Sequence, residues 1–144
     1  MAKTSAELAK ERLKDGWIKA WAAIEVLAIT EAAADSSLTK HVEKMETEDN
    51  IIIYQKEFKK TEKVQNPFDK SKDAYSKVVE MEFVARRFEH LAYLVMNYAP
   101  SSIEILEPSE MKIKTAEAQT LLNTISELMH HFVALNQGAV TIKT

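Results

Sequence analysis

The chain has 144 residues, 46% of them apolar and 28% charged, the profile of one folded domain with a buried core rather than a disordered chain. There is no Cys, which excludes disulfides, thiolate zinc sites, iron–sulfur clusters and cysteine nucleophiles. A formal net charge of −3 gives no general attraction for nucleic acid or anionic lipid.

Gly and Pro are scarce, with two Gly (Gly16, Gly138) and three Pro (Pro67, Pro100, Pro108). All-β folds and phosphate-cradling loops consume glycine, so this scarcity favours long helices. The N-terminal stretch "MAKTSAELAKERLKDG" lacks the apolar core of a signal peptide, and the sequence has no long unbroken apolar run. The expected location is therefore cytoplasmic, with neither membrane nor nucleic acid as partner.

The first helix is expected over roughly Ser5 to Ala34. Its stripe is Leu13, Trp17, Ala20, Ile24, Leu27 and Glu31, spaced 4, 3, 4, 3, 4, the narrow seam of bundle packing. Trp21 and Ala28 widen the stripe, and Gly16 inside it costs about 1 kcal/mol. The second helix starts at a cap on Asp35 or Ser36 and carries Leu38, Val42, Met45 and Ile52. Asp49 falls on that stripe, so a kink or break near Asp49–Asn50 is expected. The triple isoleucine Ile51 to Ile53 is β-branched and suits a strand. Its helical flanks favour a helix.

Asn66 as N-cap, Pro67 at the first helical position and Asp69 in the first turn open the third helix, which Tyr98-Ala99-Pro100 ends. Met81, Val84, Phe88, Leu91, Val95 and Tyr98 form its seam, spaced 3, 4, 3, 4, 3. A hairpin-like excursion comes next, in which Ile103 and Ile105 alternate, as do Met111 and Ile113. Thr115 caps the fourth helix, whose stripe of Leu121, Leu122, Ile125, Leu128, Met129, Phe132 and Leu135 leads to Gly138 as C-terminal stop. The closing "AVTIKT" is read as a final strand beside the excursion. The expected fold class is all-α: an antiparallel four-helix bundle in a single domain spanning 1–144, with the helices taking more than about 60% of residues against a base rate near a third.

On the third helix, Glu82, Arg86, Glu89 and Tyr93 lie opposite the seam, at about 100° per residue. Glu82 with Arg86 and Arg86 with Glu89 make ion pairs along the helix in this reading. Tyr75, Val79, Phe83 and Leu94 form a second apolar set on or beside that polar side. They are expected to be covered by another subunit, with His90 at the margin. The expected partner is a second copy of the chain, in a dimer or a higher even-numbered oligomer.

Chemical signatures are few. A carboxylate-bridged di-metal bundle needs two Glu-x-x-His motifs. One is present, Glu127 to His130. His131 lies nearer the stripe edge, and His41, Glu43 and Glu46 stand in the wrong order. Glu25 is the most oddly placed acid, between Ile18 and Ile29. The nucleophile-elbow, Walker and dinucleotide motifs are absent. Trp17 and Trp21, four apart, read as core rather than as a stacking platform. Neither a metal nor a cofactor is expected.

The segment "YAPSSIEILEPSEMKIKTAEAQTLLNTISELMHHF" (Tyr98 to Phe132) resembles a segment of small uncharacterised archaeal proteins. The expected architecture also resembles the ferritin-like four-helix bundles without an internal metal site. That class includes cobalamin adenosyltransferases, which bind ATP and a corrinoid between subunits. This chain lacks a basic phosphate-binding motif at its N-terminus like theirs.

The chain supports three functional expectations. The leading one is a non-enzymatic bundle that self-associates as an interaction module. The second is an adenosyltransferase-like bundle enzyme with a small-molecule site at a subunit interface, using Glu82, Arg86, Glu89, His90 and Glu25. The third is a ferritin-like metal-binding protein using Glu25, Glu89, Glu127 and His130.

Overall fold

A computed structural model describes residues 2–136. Its elements are α1 (Ser5–Lys14), β1 (Ile18–Ala28), α2 (Glu31–Glu46), β2 (Ile51–Phe58), β3 (Glu62–Gln65), β4 (Asp73–Ala85), α3 (Phe88–Tyr98), β5 (Ser102–Glu107) and α4 (Thr115–Asn136). Helices take 43% and strands 31% of the described residues, so the fold is mixed α/β and the all-α bundle expectation is corrected. The chain divides into two compact units, Met1–Glu110 and Met111–Thr144.

The first correction begins at Gly16. The Trp17 amide donates to the Arg12 carbonyl at 3.0 Å and the Gly16 amide to Leu13 at 3.1 Å. This double bond pattern, with a residue in the left-handed region beyond the cap, closes a helix as a Schellman motif. Gly16 has φ +92°, which only glycine adopts without strain. The expected first helix therefore ends at Lys14. The chain then enters β1, whose alternate residues Ile18, Ala20, Ala22 and Ile24 are buried.

β1 pairs antiparallel with β4, matching Ala20 to Phe83, Ala22 to Met81 and Ile24 to Val79. β4 pairs antiparallel with β2 through Ile51 to Ala85 and Ile53 to Phe83. β5 pairs antiparallel with β1. The sheet order is β2-β4-β1-β5, with β3 on the early part of β4. β1 and β2 thus run parallel with β4 between them, joined through α2. β4 and β5 run parallel with β1 between them, joined through α3. Two interlocked crossovers of this kind make the split β-α-β pattern of ferredoxin-like folds.

Both crossover helices lie on one face. Leu38, Val42 and Met45 of α2 and Leu91, Leu94 and Tyr98 of α3 share one core cluster with Ile18, Ala20, Ala22, Ile24, Val79, Met81 and Phe83. The stripe expected for the second helix is therefore present on α2, up to Met45. Asp49–Asn50 is a turn, and the triple isoleucine is β2. The stretch expected to open the third helix is a loop between β3 and β4. There Asn66 Oδ1 accepts from the Phe68 amide at 2.9 Å, and Asp69 Oδ1 from the Ser71 amide at 3.1 Å. These are Asx turns, the alternative use of residues that also cap helices.

α1 packs against β2 and β4. Ala9 and Val84 are both buried, and Val84 points away from the Phe83 side of β4, so α1 covers part of the second sheet face. Met111 and Ile113 form no strand, so the excursion contributes β5 alone. The Gly138 stop and the "AVTIKT" strand lie outside the described residues. Among the described residues, no helix is long and apolar enough to cross a membrane.

A polar tie joins the first turns of α2 to the sheet. Asp35 Oδ1 accepts from Lys77 Nζ at 2.7 Å and from Thr61 Oγ1 at 2.9 Å. The Lys77 hydrogen bond, then that of Thr61, holds the Asp35 carboxyl below its ordinary value of 3.8. A depressed carboxyl contributes stability that is present above its unfolded pKa and is lost as pH falls through its folded pKa. Asp35→Asn is accordingly expected to flatten the acid limb of a stability–pH profile below about pH 4 and to leave its shape near neutrality unchanged. Urea midpoints taken from pH 2 to 7 check this. An acid limb identical to wild type would show that the tie is not carried by charge.

Candidate functional site: a groove at the α1–β1 turn

A groove of about 890 Å³ is built in the first unit by three chain junctions. The end of α1 supplies Arg12 and Asp15, and Trp17 lies at the entry to β1. The turn before β2 supplies Glu48, Asp49 and Asn50. The exit of β4 supplies Arg86 and Arg87. The sheet brings these together because β4 lies between β1 and β2, so the end of β4 emerges beside the starts of both.

The cations differ in how they are held. The Arg12 guanidinium carbon lies 5.6 Å from the centre of the Trp17 ring, a cation–π distance, and Arg12 Nη1 is 3.4 Å from Asp15 Oδ2. Arg87 Nε donates to Glu89 Oε1 at 2.6 Å. Arg86 is anchored by its backbone, whose amide donates to the Asn50 carbonyl at 3.0 Å. Its exposed guanidinium has no partner among the described residues. Glu48 accepts from the Tyr98 hydroxyl at 2.7 Å, which connects the groove to α3.

The residues singled out from the sequence go to different places. Glu82 stands on the sheet face opposite the core and accepts from the Tyr54 hydroxyl at 3.0 Å. Burial and that carboxylate push the Tyr54 phenol well above its ordinary value. On an extended chain Glu82 and Arg86 are about 13 Å apart, so the expected helical ion pair between them does not form. Glu82 instead belongs to a small cleft of about 180 Å³ with Trp21, Gln55, Glu57 and Glu80. Glu25 is exposed on β1 and accepts from the Ser76 hydroxyl. Glu89 is in the first turn of α3, paired with Arg87. His90 Nδ1 accepts from the Arg87 amide at 3.2 Å as part of the cap of α3. The five candidates are thus split among two sheet positions, a helix cap and the groove. Only Arg86 lines the groove.

The expected oligomer contact is also corrected. Val79, Phe83 and Leu94 are fully buried in the chain's own core, and Tyr75 is half-buried on β4. A second subunit has no access to the first three. Glu127 and His130 lie on α4, and among the described residues no cluster of three or more His, Cys, Asp or Glu has metal-holding geometry. The four-helix scaffold behind the adenosyltransferase-like and ferritin-like expectations is not the fold observed.

Sequence reading missed Arg12, Asp15, Asn50 and Arg87. Two signals pointed to them: the Lys-Asp-Gly helix stop just before Trp17, and the Arg86-Arg87 pair where an alternating run ends.

A family model, that of the MJ0538 family, matches residues 19–143. The likeness seen over Tyr98 to Phe132 therefore extends along most of the chain, to this archaeal-named family and not to ferritin-like bundles. No curated protein and no solved structure matches the chain.

Proposed function

The chain belongs to the MJ0538 family, and we propose that it acts as a non-catalytic, self-associating interaction module in which α4 of one copy pairs with α4 of a second. The observation that carries this reading is the apolar stripe of α4. Leu122, Phe132 and Leu135 are 63%, 58% and 72% exposed, and Ile125, Leu128 and Met129 are exposed with them. Contiguous apolar patches of several hundred Å² usually mark contacts.

The spacing supports a second copy as the occupant. Leu121, Ile125, Leu128, Phe132 and Leu135 are 4, 3, 4 and 3 apart, the seam of a coiled-coil helix, and the surface that complements such a seam is another like it. A two-fold antiparallel pairing about Leu128 sets Leu121 of one helix beside Leu135 of the other. In this reading the contact lies on α4 rather than on the Tyr75, Val79, Phe83 and Leu94 set of the expected third helix.

Light scattering at tens of micromolar tests the proposal. The wild type is expected at twice the chain mass of 16.3 kDa. Leu128→Glu combined with Phe132→Glu is expected to reduce it to the single-chain mass, because unpaired carboxylates enter an apolar contact. The far-ultraviolet spectrum of the first unit's sheet should persist in the variant. A wild type of single-chain mass, or a double variant that keeps the dimer mass, overturns the reading.

A further inference from the structure

We propose that the groove at the α1–β1 turn binds a nucleoside monophosphate, with the phosphate on Arg86 and the base against the Trp17 side of the groove. The site lies wholly in the first unit and is independent of α4 pairing.

Three features select this chemistry. The first is Arg86. Its backbone is fixed by Asn50, and its guanidinium is unengaged among the described residues. A planar guanidinium on an anchored backbone presents a two-pronged donor set matched to phosphate oxygens. Arg87 adjoins it, although its Nε is already committed to Glu89.

The second is the balance of charge. Arg12, Arg86 and Arg87 line the groove together with Asp15, Glu48 and Asp49, three cations and three carboxylates. A lining that cancels its own charge does not draw in a polyanion, since phosphate-backbone binding needs a net basic surface. It suits a ligand with one anionic end and a neutral part rich in N–H donors, which the carboxylates and the Asn50 side chain accept. Nucleobases with exocyclic amino groups are of that kind.

The third is Trp17 with Arg12. The indole is half-buried with the Arg12 guanidinium over one face of its ring, which leaves the other face for a base. Base–aromatic stacking strengthens binding by about 5- to 150-fold. A volume of about 890 Å³ lies within the range of small-molecule sites.

The test is calorimetric titration of the full chain with AMP, and then with GMP, CMP, adenosine and inorganic phosphate. AMP or GMP is expected to bind saturably at one site per chain, with quenching of tryptophan fluorescence, and adenosine or phosphate alone at least 10-fold more weakly. Arg86→Ala is expected to weaken AMP binding by about 10- to 100-fold, the cost of a lost charged hydrogen-bond pair. Arg86→Lys should recover only part of it. Arg86 is exposed, so an unchanged urea midpoint in Arg86→Ala separates lost binding from lost folding. Trp17→Phe should reduce the affinity for AMP while leaving that for inorganic phosphate unchanged. The proposal is overturned if no nucleotide binds, if Arg86→Ala binds AMP as wild type does, or if inorganic phosphate alone matches AMP.

Discussion

Replacing Phe83 with alanine should lower the unfolding free energy by about 3–5 kcal/mol, a large share of the roughly 5–15 kcal/mol that holds a domain of this size. Among the described residues Phe83 is the largest side chain with no solvent exposure, near the end of β4. It stands between Ala20 on β1 and Ile53 on β2, and shares a cluster with Leu38 of α2 and Leu94 of α3. Its small neighbours give the reason for the size of the effect. Ala20, Ala22 and Ala85 belong to the same cluster, so its large side chains, Phe83 and Met81 among them, supply the bulk that the alanines do not. Alanine at 83 would leave a cavity that neighbouring strands, tied by their ladders, cannot collapse into. Urea unfolding monitored by tryptophan fluorescence should show a lower midpoint with an unchanged slope. Phe68→Ala, at a position 96% exposed, should stay within about 0.5 kcal/mol of wild type. Phe83→Glu, which a helical reading of this segment makes a test of subunit contact, should instead unfold the first unit, because it buries a carboxylate without a partner. A loss below about 1 kcal/mol for Phe83→Ala would mean that the two helices settle onto the sheet far more freely than close packing allows.

The same residue shows what the sequence disclosed and what it hid. "VVEMEFVA" alternates at Val79, Met81, Phe83 and Ala85, the period of a strand with one buried face. Yet Met81 and Val84 also begin a 3, 4 spacing that continues through Phe88, Leu91 and Tyr98, and those last three do belong to a helix. A strand that runs into an amphipathic helix after only Arg86-Arg87 imitates one long helix whenever the two phases happen to join. β1 was obscured differently: Ala20, Ala22, Ala23 and Ala28 are good helix formers, and burial on both sheet faces near Ala23 blunts the alternation. Features that needed only local periodicity were legible, including the stripe of α2, the alternation of β5 and the break at Asp49–Asn50, whereas on α3 the seam has Leu91 and Tyr98 inward correctly but exposed Val95 in place of buried Leu94. The groove was not legible for a topological reason. Arg12, Asn50 and Arg86 are separated by more than thirty residues at each step and meet because β4 inserts between β1 and β2. No local pattern encodes that insertion.

Tyr98 should be nearly as costly to remove, and it carries a second, pH-dependent signature. The ring is 2% exposed and stands edge-on to His41 at 5.3 Å between centroids. The hydroxyl donates to Glu48 at 2.7 Å, and His41 Nε2 lies 2.8 Å from the Tyr98 carbonyl, so one residue fastens the end of α3 to α2. Tyr98→Ala is expected to cost about 3–4 kcal/mol, as other large buried rings do. Tyr98→Phe keeps the ring and loses one hydrogen bond to a half-exposed carboxylate that water can re-solvate, so about 1 kcal/mol is expected. Burial first, and the Glu48 carboxylate second, push the Tyr98 phenol up to about 12 from an ordinary 10.0. The folded state therefore keeps a proton that the unfolded chain releases. The stability this confers is complete below pH 10 and is lost as pH rises toward 12. Wild type and Tyr98→Phe should thus differ most near neutrality and converge through that window, because phenylalanine has no proton to lose. Other groups that titrate at high pH are common to both proteins and cancel in the comparison. Urea midpoints of the pair from pH 8 to 12 measure the convergence. A gap that stays constant across the window would place the ionised phenol at ease in the fold and would refute the hydroxyl-to-Glu48 fastening.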